Sequence, residues 1–548
     1  MYTQSKFKFN RLVSISVILA LFAALIGLPG ASPSLAGAES HSYIVQASSA
    51  QQAGNLVEAY GGTVTSALDL IQSVAASLSS EALAALAKDP GVIAVIPNGQ
   101  MSLVSTSDSV DQTTVQKKDN IPSSNFPEVV GAHAVWEAGV TGSGVTVAIV
   151  DTGIGIHRGL FKDVEGRNGR ILAWKDFVDG RKKPFDPNGH GTHVAGVIAN
   201  SQIGSDGSWN SIAPGVDLVG VRVADTEGGA TYDRVIQGIQ WVVEHQEQYN
   251  IQVLNFSMSA PVQSPYWADP VNRALMAAWQ SGIVVVTSAG NFGPQALSVG
   301  VPGNNPYIVT VGAFTDAYTP QDWSDDYIPA FSSAGPTHDG FVKPDLVAPG
   351  GHIVSTMLPA SNLALTYSEN RVASQYFNMA GTSQASAVVS GIAALMLSNN
   401  PDLTPSAVKY RLRATSIPQF NPDTLEAGYS VWQQGSGRVF APLAVFANIE
   451  SVESDAGMDI AADLANQTHY LGYSYRDDDG VYRLFGDNGS WAGGAGVWDG
   501  VSIADSGGFW GDGGFWGDGG FWGDGGFWGD GGFWGDGGFW GDGGFWGD

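Results

Sequence analysis

Between residues 145 and 311 the chain repeatedly returns to short, β-branched, almost wholly apolar runs. These are Val145-Thr-Val-Ala-Ile-Val150, Leu218-Val-Gly-Val-Arg-Val223, Val253-Leu-Asn-Phe256, Ile283-Val-Val-Val286 and Ile308-Val-Thr-Val311. A strand with one face in water alternates apolar and polar residues; these runs hardly alternate, so both faces must be covered. Helical patterns lie between several of them. Tyr232 to His245 sets Val235, Ile239, Val242 and Val243 on one face, and Val271 to Gln280 is a second case. Strands buried on both sides and separated by helices predict an α/β fold, a three-layer α/β/α arrangement around a mainly parallel sheet. Functional residues of such sheets gather beyond the carboxyl ends of the strands.

The pattern also divides the chain. Lys6, Lys8 and Arg11 precede the apolar run Leu12 to Leu28, and small residues follow at Ser34-Leu35-Ala36 and Ala36-Gly37-Ala38. Residues 1–38 therefore read as a cleaved export signal and the protein as secreted. The rival reading is a membrane anchor, but the run is short of the ~20 apolar residues a bilayer span needs. Residues 39–104 predict a small α+β unit: strands at His41–Gln46 and Gly91–Ile96, helices at Ala50–Tyr60 and Ser80–Lys88. The polar stretch 105–128 reads as a linker open to proteolysis. Residues 129–449 hold the α/β domain, and Thr404-Pro405 marks a helix start within it, an N-cap followed by proline at the first turn. Periodic core signal fades over 450–506.

Residues 507–548 are seven copies of Gly-Gly-Phe-Trp-Gly-Asp. Half of each copy is glycine, which favours a flexible tail. The exposed Phe-Trp pairs allow a second reading, a sticky surface for cell-surface or polysaccharide contact. A calcium β-roll fits less well, because its period is nine rather than six.

Charge and redox chemistry narrow the function. Asp and Glu outnumber Lys and Arg 52 to 25, a formal charge of −27. Such a chain repels nucleic acid and anionic lipid. There is no cysteine, which removes disulfides, thiol catalysis and cysteine-ligated zinc.

Four positions carry chemistry. Asp151 directly follows the strand Val145–Val150; taken alone it caps a loop. His190 stands in Asn188-Gly-His-Gly-Thr-His-Val-Ala-Gly196, at the start of a small-residue helix whose dipole disfavours an imidazolium. A neutral imidazole is what a general base requires. His193, one turn on, reads as packing. A metal pair is a weak reading, since His-Glu-x-x-His would need Glu where Gly191 stands. Ser383 opens the apolar helix before Val388–Leu397 and is either an N-cap or a nucleophile whose own N–H faces an oxyanion. Asn291, after the strand Ile283–Val286, is either a turn residue or an oxyanion donor.

Asp151-Thr-Gly, His190-Gly-Thr-His-Val-Ala-Gly and Gly381-Thr-Ser-Gln-Ala-Ser, in that order, resemble the subtilisin-like serine peptidases, the subtilases. The similarity spans roughly Val129 to Ala447 and includes Phe331–Pro336, Lys343–Gly350 and Gly435–Val439. The resemblance implies catalytic roles for Asp151, His190 and Ser383, and an oxyanion hole from Asn291 and the Ser383 N–H. It implies a specificity pocket from Ser257, Met258, Ser259, Ser288, Ala289 and Gly290. It also makes 39–104 an inhibitory propeptide, 105–128 the maturation region, and proteins or peptides the substrates. It implies no cofactor for catalysis; structural calcium is common in the family, and no ligands for it are named here. Three positions depart from the family: Gln384 replaces the usual Met, Ala387 the usual Pro, and Ser259 the usual Gly, which predicts a narrower groove edge. The leading expectation is a secreted, self-processing serine endopeptidase. Its rivals are a surface adhesion protein with an inactive subtilase domain, and a processing peptidase or transpeptidase with one dedicated substrate.

Overall fold

The computed structural model of the chain describes residues 40–103, 121–419, 428–449, 457–477 and 480–484. The export signal, most of the linker and the repeat tail lie outside the described residues.

Four strands form the N-terminal unit: β1 Ser40–Gln46, β2 Thr63–Leu68, β3 Ser73–Ser79 and β4 Ala94–Pro97, an antiparallel sheet in the order β2-β3-β1-β4. Helices Ala50–Ala59 and Ser80–Leu86 start at Ser49 and Ser79, whose hydroxyls accept from Gln52 N and Ala82 N. They bury Ala53, Val57 and Leu86 against Val45, Val74 and Leu78. The expected strands are present as β1 and β4. The sequence reading passed over β2 and β3 because Thr-Val-Thr-Ser-Ala-Leu and Ser-Val-Ala-Ala-Ser-Leu-Ser are rich in small residues. Ala76 and Ala75 are fully buried on the two faces of β3, Ala76 under the helices and Ala75 against the main body. A short strand, β5 Gln100–Ser102, leaves this unit for the main body.

The main body is a seven-stranded sheet: β6 Thr146–Asp151, β7 Ile171–Asp176, β8 Asp217–Arg222, β10 Ile251–Phe256, β11 Val284–Ser288, β12 Val309–Phe314 and β13 Leu346–Pro349, with the short β9 Gly229–Thr231 outside it. Its order is β13-β12-β11-β10-β6-β8-β7 and every pairing is parallel. Burial of β6, β11, β12 and β13 is complete, as unalternating runs require. Helices Tyr232–Glu244 and Pro270–Gln280 pack together as one outer layer, and helices His190–Ala199 and Thr382–Asn399 pack together as the other. The three-layer α/β/α expectation is met.

Helix Thr382–Asn399 is buried around its whole circumference through Leu397, so it has no polar face to show water. Its alanines, serines and glycine permit that depth. A Cβ on Gly391 would meet Ile212 Cβ at 2.5 Å, so the backbone there approaches its neighbour as only glycine allows. Thr404 caps helix Pro405–Ala414 by accepting from Ala407 N, as Thr-Pro predicts. Residues 457–484, where no periodicity announced structure, return to the body. They contribute helix Ile460–Leu464 and a hairpin of Ser474–Arg476 with Tyr482–Leu484.

Candidate active site

Asp151 is the last residue of β6, at the carboxyl end of a central strand, and its side chain has no exposure. Its Oδ1 accepts from the backbone N of Thr152 at 2.7 Å. His190 opens the helix His190–Ala199, and its Nδ1 lies 2.9 Å and 3.0 Å from the two Asp151 oxygens. A carboxylate bonded at Nδ1 fixes the ring orientation and leaves Nε2 for other chemistry. Gly191 lets the helix start approach the loop after β6: a Cβ there would lie 2.2 Å from Gly153 O and 3.1 Å from Asp151 Oδ1.

The start of this helix is held by Asp186, which the sequence reading did not single out. Asp186 is 2 % exposed. Its Oδ1 accepts from Gly189 N at 2.8 Å and Thr152 Oγ1 at 2.9 Å; its Oδ2 accepts from Thr192 N at 2.8 Å and Thr192 Oγ1 at 2.5 Å. Thr152 Oγ1 in turn accepts from Gly191 N at 2.9 Å. One carboxylate thus satisfies donors of the first helical turn and ties that turn to the residue after Asp151. Asp186 lies three residues before the N-cap, Gly189, so no capping pattern in the sequence announces it.

His193 takes no part in this cluster. It is fully buried, its Nε2 donates toward Ile353 O at 3.2 Å and Phe377 O at 3.1 Å, and burial pulls its pKa down to about 3. It is a neutral packing residue. No metal pair forms.

Ser383 is the second residue of helix Thr382–Asn399, packed against the His190 helix, and is 4 % exposed. Its hydroxyl donates to Ser257 O at 3.2 Å. Asn291 follows β11. Its Oδ1 accepts from Thr382 N at 2.9 Å and Thr382 Oγ1 at 2.8 Å. Holding the oxygen this way turns the amide nitrogen to the other side, 3.2 Å from where a Gly381 Cβ would sit. A Cβ there would crowd the donor, and Gly381 leaves the space open.

The segment after β10 borders Ser383. Asn255 Nδ2 donates to Ser257 Oγ at 2.9 Å, Ser257 Oγ lies 3.0 Å from Ser386 Oγ, and Ser390 Oγ donates to Asn255 Oδ1 at 2.9 Å. These bonds fasten the segment to the Ser383 helix. The Met258 side chain is fully buried in the core, so only its backbone faces the groove. Ser288 and Ala289 are buried and Gly290 has a φ of 104°.

A strand already lies along this edge. Ser102 N donates to Ser259 O at 3.0 Å and Ser259 N to Ser102 O at 3.1 Å. On its other side β5 pairs antiparallel with β9, Ser102 opposite Gly229, and Leu103 N donates to Gly228 O at 3.1 Å. An extended segment between two backbone edges is strand addition, in which main-chain bonds hold the segment whatever its side chains. With Ser259 in place of glycine the edge still pairs with a strand, through both of its backbone groups.

Gln384, next to Ser383, is 1 % exposed, and its Nε2 has no hydrogen-bond partner among the described residues. Ala387 is fully buried within the unbroken helix.

A family profile described as "Subtilase family" matches residues 142–444. The chain is 38 % identical over 326 residues to "Serine protease AprX" of Bacillus subtilis (strain 168), covering 58 % of this chain and 72 % of that protein. It is 31 % identical over 377 residues to "Subtilisin E" of the same strain, covering 68 % of this chain and 82 % of that protein. A "Thermostable alkaline protease" of Halalkalibacterium halodurans is 30 % identical over 407 residues, covering 74 % of this chain and 93 % of that protein. Subtilases need no cofactor for catalysis. Sheet, sequence and relatives agree: the chain belongs to the subtilase family and is a serine endopeptidase.

Proposed function

We propose that the chain is a secreted endopeptidase that cuts extended protein and peptide segments through Asp151, His190 and Ser383, and that it is made as a self-processing precursor. The observation that carries this reading is a shared edge. The segment whose Ser257 carbonyl takes the Ser383 hydroxyl also pairs, through Ser259, with an extended strand.

In the proposed reaction the Ser383 hydroxyl turns from Ser257 O to His190 Nε2. His190 takes the proton as Oγ attacks the scissile carbonyl, and Asp151 stabilises the imidazolium. The Asn291 amide and the Ser383 N–H receive the oxyanion, aided by the positive end of the helix. His190 then returns the proton to the leaving amine, and the Ser383 acyl ester is cleared by water. Ser257–Ser259 and Ser288–Gly290 line the specificity pocket in this reading.

The unit of residues 39–104 acts as the propeptide. Its strand β5 fills the groove, which supports inhibition by occupancy. Ser102 stands opposite Ser259, so the chain leaves the groove toward the polar region, and the maturation bond is proposed to lie within roughly residues 103–128. Secretion rests on the basic and apolar start of the chain; among the described residues, no helix is long and apolar enough to cross a membrane. Structural calcium has no ligand set to name, since no group of three or more His, Cys, Asp or Glu that could hold a metal occurs among the described residues. For the Phe-Trp repeats, surface or polysaccharide contact is the proposed role; deleting residues 507–548 should lower association with cells or matrix.

Sequencing the N-terminus of the mature enzyme tests the precursor reading. It should begin within roughly residues 103–128, and the Ser383→Ala chain should keep its N-terminal unit. Removal of that unit from pure Ser383→Ala protein would refute self-processing.

A further inference from the structure

We infer that residues 457–477 and 480–484 form a strap that builds part of the seat of the N-terminal unit, so that strap and unit hold each other in place through Arg273. This goes beyond the peptidase reading and does not depend on whether the unit is later removed.

The strap is anchored by Asp463, which is fully buried. It accepts from Tyr266 Oη at 2.5 Å, Tyr307 Oη at 3.0 Å and His469 Nδ1 at 2.7 Å. The His469 ring stacks on Trp267 with centroids 4.8 Å apart. Further along, Gly472 N donates to Asp339 O at 2.8 Å and Ser474 N to Gly340 O at 3.1 Å. A buried carboxylate with three side-chain donors is a built attachment; a loosely trailing terminus would leave it in water.

The floor shared by strap and N-terminal unit is helix Pro270–Gln280. The strap helix Ile460–Leu464 packs on it, and so does the turn Asp69–Ile71 of the N-terminal unit. Arg273, 5 % exposed, sits between them. Its Nη2 donates to Leu464 O at 2.6 Å and its Nη1 to Asn466 Oδ1 and Trp267 O, both at 3.1 Å. In the amide orientation that satisfies both groups, Gln46 of β1 accepts from Arg273 Nε and Nη2, both at 3.3 Å. A buried guanidinium carries five donors in a fixed fork. Strap oxygens and a residue of the N-terminal unit divide those donors between them. Losing either set leaves the other holding a less well-placed cation. The three parts also wall one cavity of about 360 Å³, with Gln46 and Ile96 from the N-terminal unit, Trp267 and Asp269 from the body, and Asn466 and His469 from the strap.

Amide hydrogen exchange on the full chain tests this. Ser383→Ala is the background, and an intact mass confirms first that the chain stays whole; cleavage of that protein would count against Ser383 as nucleophile and not against the strap. Leu70, Ser102 and Leu103 report docking of the N-terminal unit, because their N–H groups bond to Gln240, Ser259 and Gly228. Gly472 and Ser474 report docking of the strap. Asp463→Asn should speed exchange at the strap amides and, by coupling, at the three N-terminal amides by about fivefold or more. Gln46→Ala should produce the reverse transfer, speeding the strap amides. Should Asp463→Asn unfold the whole chain, Asn466→Gly decides in its place, since the backbone φ of 56° at this position suits glycine and only the Arg273 contact is lost. Faster strap amides with unchanged N-terminal amides in the variant that folds would overturn the inference.

Discussion

His190 Nδ1 faces both carboxylate oxygens of Asp151, at 2.9 Å and 3.0 Å, with both side chains withdrawn from solvent. In the proposed mechanism this contact does two things. It holds the tautomer with the proton on Nδ1, and it balances the charge His190 gains on taking a proton from Ser383. Asp151→Asn keeps the shape and removes both effects. It should lower kcat by about 10⁴-fold, the cost usual when a triad loses its orienting carboxylate, with KM nearly unchanged. Steady-state hydrolysis of a peptide amide checks this.

Asp186 places His190 without touching substrate. Its four accepted bonds fix the turn from which the imidazole projects. Asp186→Asn turns one of the two acceptor oxygens into a donor that faces a backbone N–H group. It should reduce kcat by about 10²-fold, the scale of a 1 Å misplacement, and lower the melting temperature. A structural role alone would lower the melting temperature and leave kcat of the folded fraction intact.

The α/β fold was legible because unalternating runs such as Val145–Val150 have few other uses, and so were the helix starts at His190 and Ser383, because small-residue runs follow them directly; the roles of these residues rest on the family resemblance. Asp186, Thr382 and Asn255 were not legible. Each acts through bonds to backbone or to residues distant in sequence, and nothing in a local pattern separates such a carboxylate or amide from an ordinary loop residue. The strap was missed for the same reason: Asp463 has meaning only beside Tyr266 and Tyr307, some two hundred and one hundred and fifty positions away.

Gln384 buries, beside Ser383, an amide nitrogen that has no hydrogen-bond partner among the described residues. An unsatisfied buried donor costs about 1–3 kcal/mol, and methionine has similar length without the polar group. In the Ser383→Ala background, Gln384→Met should raise the unfolding free energy by an amount in that range, measured by denaturant titration with an unchanged slope.

Asp269 caps helix Pro270–Gln280, accepting from Val271 N and Asn272 N, both at 2.9 Å. Burial raises its pKa to about 6. A carboxyl with a raised folded-state pKa favours the protonated folded form, so its contribution is fully present below about pH 4, the unfolded value, and is lost as pH rises toward 6. Asparagine keeps the capping oxygen and cannot ionise. Asp269→Asn in the Ser383→Ala background should therefore melt at a higher temperature than its parent at pH 8, with the gain gone by pH 4. Thermal melts at the two pH values check the sign.

Covalent labelling by a serine-directed fluorophosphonate, followed by mass mapping of the adduct, tests most directly whether His190 activates Ser383 at the end of this sheet. The account predicts one adduct, on Ser383, that blocks peptide hydrolysis and does not form in the His190→Ala protein. An active enzyme labelled on another residue, or labelled equally without His190, would contradict it.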